Sequence, residues 1–119
     1  MKLLLIALVV IMLPEIAAAA CRVPPIKTLD NQTVTGYMFT TSGRRCGIKV
    51  RNSRGPILSA ALVNNAKNGN VVVRGGIIAY TPRAGFVGDD EFTYARRGLN
   101  TRNEPIVRTV TVKVNVAAK

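Results

Sequence analysis

The sequence predicts an all-β protein, an antiparallel β-sandwich of about seven short strands. No stretch after residue 20 shows the period of an α-helix. Short runs rich in β-branched and aromatic residues are separated by turn signals at regular intervals. In the last run, Val110, Val112, Val114 and Val116 alternate with polar residues, which is the pattern of a strand with one buried face.

The expected strands follow one another between turn signals. Gly75 and Gly76 lie between two runs of Val and Ile, which predicts a hairpin with a tight turn. Residues 57–63 form a run too short for periodicity to distinguish helix from strand. The other expected strands cover residues 33–41, 46–51, 71–73, 77–80, 91–97 and 109–116.

The N-terminus has the plan of a secretory signal peptide. A short basic start, Met1-Lys2, precedes an apolar run over residues 3–13, a break at Pro14 and a run of alanines over residues 17–20. The apolar run is shorter than the roughly 20 residues that cross a bilayer. We therefore expect a signal peptide over residues 1–20, a single domain over residues 21–119, and a secreted or periplasmic protein with no transmembrane span after cleavage.

Two alternatives are open for Cys21, the first residue after the expected cleavage. The chain has two cysteines, and export leads to an oxidising compartment, which favours a disulfide between Cys21 and Cys46. Residues 18–21 also resemble the lipobox of bacterial lipoproteins, although Ala18 stands where Leu is preferred. That resemblance implies a lipid anchor on Cys21. One sulfur cannot do both, and we favour the disulfide.

Residues 80–94 read YTPRAGFVGDDEFTY. This run resembles the signature of bacterial immunoglobulin-like and cadherin-like repeat domains, which occur in large secreted adhesins. The resemblance extends over residues 57–116 and implies an immunoglobulin-like β-sandwich with a structural, protein-binding or adhesive role in the cell envelope. The residues that carry the signature are Tyr80, Pro82, Gly85, Phe86, Gly88, Asp90, Phe92 and Tyr94.

Each signature residue has an expected structural role. Pro82 removes a backbone donor and suits the end of a strand, while Gly85 and Gly88 permit positive φ between the sheets. The aromatic residues supply the large apolar side chains of a core that has no Trp. A tyrosine, Tyr80 or Tyr94, is expected to hydrogen-bond to the backbone across a corner of the sandwich.

No metal or other cofactor is expected. Asp89, Asp90 and Glu91 form the only acidic cluster, and carboxylates are suitable ligands for calcium. Related repeats often place further acidic residues after the final tyrosine of the signature, but Arg96 and Arg97 occupy that region here. The cluster is therefore expected to be a solvated turn.

Catalysis is not expected. The chain has no His, which removes the commonest general base and metal ligand. Its serines lie in no nucleophile motif, and no second acidic cluster is available to complete a glycosidase pair.

The positive charge suggests an alternative function. Seventeen Lys and Arg stand against six Asp and Glu, and the net charge of +11 is unchanged when Lys2 and Glu15 leave with residues 1–20. A protein of this charge associates with polyanions. The doublets Arg44-Arg45 and Arg96-Arg97 are the candidate contacts. The expected partner is an envelope protein or an anionic glycan, such as lipopolysaccharide or acidic polysaccharide. No nucleic-acid motif is present.

Overall fold

The computed structural model describes residues 21–50 and 57–119, so the expected signal peptide and the last residue of the strand expected over residues 46–51 lie outside it. The described residues form eight β-strands and no helix. None of them forms a helix long and apolar enough to cross a membrane. The strands are β1 (Cys21–Arg22), β2 (Thr33–Thr41), β3 (Cys46–Lys49), β4 (Ile57–Asn64), β5 (Gly69–Arg74), β6 (Ile77–Pro82), β7 (Gly88–Leu99) and β8 (Pro105–Ala117).

The strands form two sheets. The larger sheet has the order β1-β2-β8-β7-β4, and the smaller has the order β3-β6-β5. The all-β prediction is confirmed for the described residues, and the run at residues 57–63 is a strand. The glycine-turn hairpin is also confirmed, because Arg74 pairs with Ile77 across Gly75 and Gly76, whose φ values are 54° and 80°.

One strand pair corrects the prediction of a fully antiparallel sandwich. Strand β2 pairs with β8 in parallel, with Thr33 opposite Thr109 and Thr41 opposite Ala117. The two strands lie far apart in the sequence and are not joined by a hairpin, so no tight turn sets their direction. Alternation of apolar and polar residues is the same for a strand read either way, and it does not distinguish parallel from antiparallel pairing.

The last two strands are longer than predicted. Their ladder runs from Gly88 opposite Val116 to Leu99 opposite Pro105, so it extends into residues 98–99 and 105–108, which lie between the two expected strands. The remaining turn is organised by Asn100, whose side-chain oxygen accepts hydrogen bonds from the N–H groups of Arg102 and Glu104, both at 2.9 Å. Cross-strand pairing has overridden the weak local preference of this segment.

The two sheets share one hydrophobic core and pack in a β-sandwich-like arrangement. The rings of Tyr80 in the smaller sheet and Phe92 in the larger sheet stack with centroids 5.7 Å apart. The inward-facing valines of β8 lie in the same cluster, as their alternation predicts. The buried members are Met38, Cys46, Ile48, Val71, Ile78, Tyr80, Phe92, Tyr94, Val110, Val112, Val114 and Val116.

The N-terminal segment closes one end of this core. Cys21 forms a disulfide with Cys46, with the two Cα atoms 5.3 Å apart, which is the pairing favoured by the sequence. Further along, the Ile26 side chain lies against Gly36 on the inner face of β2. A Cβ atom at Gly36 would lie 2.8 Å from Ile26 Cδ1, so glycine makes room for this segment between the sheets.

Candidate functional site

Asp90 is the hydrogen-bonding centre of the signature motif. Its carboxylate accepts the backbone N–H groups of Lys67 at 3.1 Å, Asn68 at 3.0 Å and Glu91 at 2.9 Å. It also accepts the Tyr80 hydroxyl at 2.8 Å, a bond buried in the core. Asp90 therefore joins the turn between β4 and β5 to strands β6 and β7. The Tyr80 hydroxyl bonds to this carboxylate and not to the backbone, which was the expected partner of the corner tyrosine.

The other two members of the acidic cluster lie on the surface. Asp89 accepts a hydrogen bond from the Asn115 side-chain amide at 3.1 Å, and Glu91 is exposed. Because Asp90 points inward and its neighbours point outward, the three carboxylates do not converge. Among the described residues, no group of three or more His, Cys, Asp or Glu side chains is arranged to hold a metal ion.

The remaining signature residues lie around the connection between β6 and β7. Pro82 is the last residue of β6, and Phe86 packs against the core. Gly85 and Gly88 have φ values of 85° and 135°, in the region that favours glycine. The Gly85 N–H donates to the Ser42 hydroxyl at 2.8 Å, which fastens this connection to the end of β2.

We expect the free energy of unfolding to fall as the pH rises above about 10. Burial raises the pKa of Tyr80, and its hydrogen bond to Asp90 and the negative charge of that residue raise it further. Burial also raises the pKa of Tyr94. Above the ordinary tyrosine pKa the unfolded chain releases phenol protons that the folded chain still holds, so stability declines toward the folded-state pKa.

The measurement is the urea midpoint between pH 8 and pH 11. Lysines titrate in the same range, so the comparison is between the protein and Tyr94→Phe, which keeps the buried ring and removes the phenol. The variant should lose stability less steeply with pH. Identical slopes for the two proteins would contradict the prediction.

The four arginines proposed to contact polyanions do not share one surface. Arg96 faces inward on β7 and is 8% exposed, whereas Arg97 faces outward. Arg44 and Arg45 follow β2, which ends where Thr41 pairs with Ala117 of β8. Arg96 pairs with Arg108, toward the other end of β8. Nine positions along β8 separate these two ends, a distance of roughly 30 Å. The burial of Arg96 follows from the same period of two that buries Phe92 and Tyr94.

A groove of about 850 Å³ lies on the outer face of the larger sheet. It is lined in part by Tyr37, whose exposed fraction is 51%, and by side chains of both signs, including Lys113 opposite Glu91. The mixture of charges favours no one class of charged ligand.

Strand β4 carries the most distinctive exposed feature. It is the terminal strand of the larger sheet, and its pairing with β7 is irregular between Ile57 and Ser59 and again between Leu62 and Asn64. The residues skipped by these two bulges, Leu58 and Val63, are 69% and 56% exposed. Bulges redirect side chains, and here each one places a large apolar side chain in solvent.

Sequence reasoning missed this feature. The run Ile57–Asn64 is mostly apolar and has no period of two, which left even its secondary structure open. The missing period is the signal that was available, because a bulge shifts the alternation by one residue.

Comparison with known proteins adds little. No protein-family model matches the chain, and no curated protein matches it. Among solved structures, the chain is similar to one described as the crystal structure of sialyltransferase from Photobacterium damsela, with 10% identity and a TM-score of 0.44. The match covers 73% of this chain and 18% of that chain, so it spans less than a fifth of that protein. A similarity at this level carries no argument about fold or activity.

Proposed function

We propose that this chain is an exported, non-enzymatic binding module with an immunoglobulin-like β-sandwich fold, and that it binds envelope proteins through strand β4. The immunoglobulin-like fold is supported by the signature at residues 80–94 and by the two packed sheets. Export is supported by the N-terminal sequence and the disulfide. The observation that carries the binding role is the exposed, bulged edge of β4.

An edge strand offers unpaired backbone groups to another chain. Natural proteins usually protect such edges with charged residues, proline, short strands or bulges that twist the edge away. Strand β4 is eight residues long, and it contains no charged residue and no proline. Its two bulges lie near the ends of the strand and do not interrupt the regular segment between them, Ser59–Leu62, so this segment is suited to the addition of a partner strand.

Leu58 and Val63 are the expected side-chain contacts. They lie on either side of the small residues at the middle of the strand, where Ala60 and Ala61 leave the backbone accessible. Main-chain hydrogen bonds to the middle would supply affinity, and the two apolar residues would select side chains at the ends of the added strand.

The charge of the chain defines the partner further. With a net charge of +11, a second copy of the chain is repelled, whereas an acidic segment is attracted. Arg97 is exposed on β7 directly opposite Ser59 of β4. The partner that fits is an extended segment with apolar residues at its ends and acidic residues near them.

A library of random displayed peptides selected on the immobilised protein tests the proposal. We expect enrichment of extended, acidic peptides with apolar residues, whose binding protects the backbone amides of Ile57–Asn64 from hydrogen exchange. No enrichment, or protection confined to another part of the protein, would contradict it.

Leu58→Gln or Val63→Gln should weaken the binding of a selected peptide by at least about tenfold, which corresponds to about 1.4 kcal/mol, because each removes an apolar contact without adding a charge that would attract an acidic peptide. Val87→Gln is the matched control. Val87 is 55% exposed, close to the value for Val63, and lies in the connection before β7, so the same kind of change is made away from β4. The control should bind within about twofold of the original protein, since an exposed substitution away from the site has little effect. An equal loss in all three variants would refute the assignment to β4.

A further inference from the structure

A cleft of about 490 Å³ opens between the N-terminal segment, strand β3 and the part of β7 at Tyr94 and Arg96. This volume lies in the range of small-molecule sites, about 300–1,000 Å³. The segment over residues 23–28 forms one wall, and residues 47–50 form another. The cleft is thus built from parts of the chain that the disulfide holds together at their N-terminal ends.

The described lining of this cleft carries three cations and no carboxylate. Lys27 contributes from the N-terminal segment, Lys49 from the end of β3 and Arg96 from β7. The two lysines are exposed, whereas Arg96 is 8% exposed. Three basic residues from three separate elements therefore line one cleft, and such a lining attracts an anion.

Arg96 is held in position by the protein interior. One of its guanidinium nitrogens donates to the Thr28 hydroxyl at 2.7 Å, and this bond joins β7 to the N-terminal segment. The charge of Arg96 reaches Tyr94 in the cleft, where it opposes part of the rise that burial causes in the pKa of that phenol.

The walls indicate what kind of anion fits. Val23, Ile26 and Ile48 contribute apolar surface, while Thr28 and the backbone at Gly47 contribute polar surface. A fatty chain would leave the polar surface unpaired, and a bare inorganic ion would fill only part of the volume. A hexose has both hydroxyl groups and apolar C–H faces, and it matches a wall of mixed polarity.

We propose that this cleft binds an anionic sugar, with the carboxylate or phosphate group of the sugar at Lys27, Lys49 and Arg96. Carboxylate and phosphate both form charge-assisted hydrogen bonds with lysine and arginine. The site is separate from strand β4, and its ligand would be a uronic acid or sugar phosphate unit.

Titration of the ¹⁵N-labelled protein at low salt tests the proposal. The probes are galacturonate, glucose 6-phosphate, uncharged glucose and inorganic sulfate. We expect saturable amide shifts at Thr28, Gly47 and Lys49 with one or both anionic sugars, and no shifts with glucose. The sugar that binds more tightly shows whether the cleft prefers a carboxylate or a phosphate group. Sulfate binding as tight as both sugars would overturn the sugar assignment, and absence of saturable shifts would overturn the site.

The double variant Lys27→Gln/Lys49→Gln should weaken the binding of the anionic sugar by about tenfold or more, since it removes two charge-assisted contacts. The matched control is Lys67→Gln/Lys113→Gln, which removes the same charge from exposed positions outside this cleft. Equal weakening by both double variants would show a response to net charge alone and would refute the proposal. Unchanged amide dispersion establishes that each variant is folded.

Discussion

Replacing Asp90 by alanine is expected to lower the free energy of unfolding by about 3–4 kcal/mol, because it leaves several buried or half-buried donors without their acceptor. The Tyr80 hydroxyl lies in the core, where loss of the carboxylate leaves it unpaired. The N–H groups of Lys67 and Asn68 also lose their acceptor, and with it the bonds that fix the turn between β4 and β5. Chemical denaturation with the disulfide intact measures this loss.

Asp89→Ala is the matched control. Asp89 is the adjacent carboxylate, faces solvent, and accepts one exposed hydrogen bond from Asn115. Its removal is expected to change stability by no more than about 0.5 kcal/mol. Similar losses for the two alanine variants would contradict the central role given to Asp90.

A double-mutant cycle with Tyr80→Phe separates the buried bond from the turn contacts. In the original protein, Tyr80→Phe removes the phenol and leaves Asp90 with its backbone donors, at an expected loss of about 1 kcal/mol. In the Asp90→Ala background, the same change removes an unpaired hydroxyl and should be neutral or stabilising. Additive losses would show that the bond contributes nothing to stability.

The contrast between β8 and β4 shows which features of the fold could be predicted from the sequence. Strand β8 has one buried face along its whole length, so its valines keep the period of two and its location was predicted. Strand β4 has the same secondary structure, but bulges at Leu58 and Val63 interrupt the alternation. A pattern-based prediction depends on uninterrupted pairing, and β4 departs from it at the positions proposed for binding.

The two arginine doublets show a similar limit for the candidate sites. Consecutive residues on a strand point to opposite faces, so Arg96 and Arg97 were separable from the sequence once the strand was placed. The other basic residues that line the cleft with Arg96 could not be predicted from the sequence. Lys27 and Lys49 reach the same cleft through the packing of the N-terminal segment against β3, and no local pattern encodes that contact. The sequence predicted the net charge, whereas tertiary packing determined that Lys27, Lys49 and Arg96 line one cleft.

Breaking the Cys21–Cys46 disulfide is expected to lower the free energy of unfolding by about 3.5 kcal/mol, from the chain-entropy estimate for a loop of this length. The two cysteines are 25 residues apart in sequence. Strand β1 is only two residues long and pairs with the end of β2, so few other bonds retain the first residues of the described chain. Ile26 lies further along and loses the restraint that keeps it against Gly36.

The single variant Cys21→Ala isolates this effect from core packing. Cys21 is exposed, whereas Cys46 is 1% exposed and belongs to the core, so Cys21→Ala removes the bond and leaves the buried sulfur in place. Cys21→Ala/Cys46→Ala should lose more, because it also removes buried volume. Intact mass of the purified protein checks the chemistry directly: a loss of two hydrogens accompanies the disulfide, and an added lipid accompanies the alternative anchor. A lipid on Cys21 would leave Cys46 reduced and make stability independent of added reductant, which would refute the prediction.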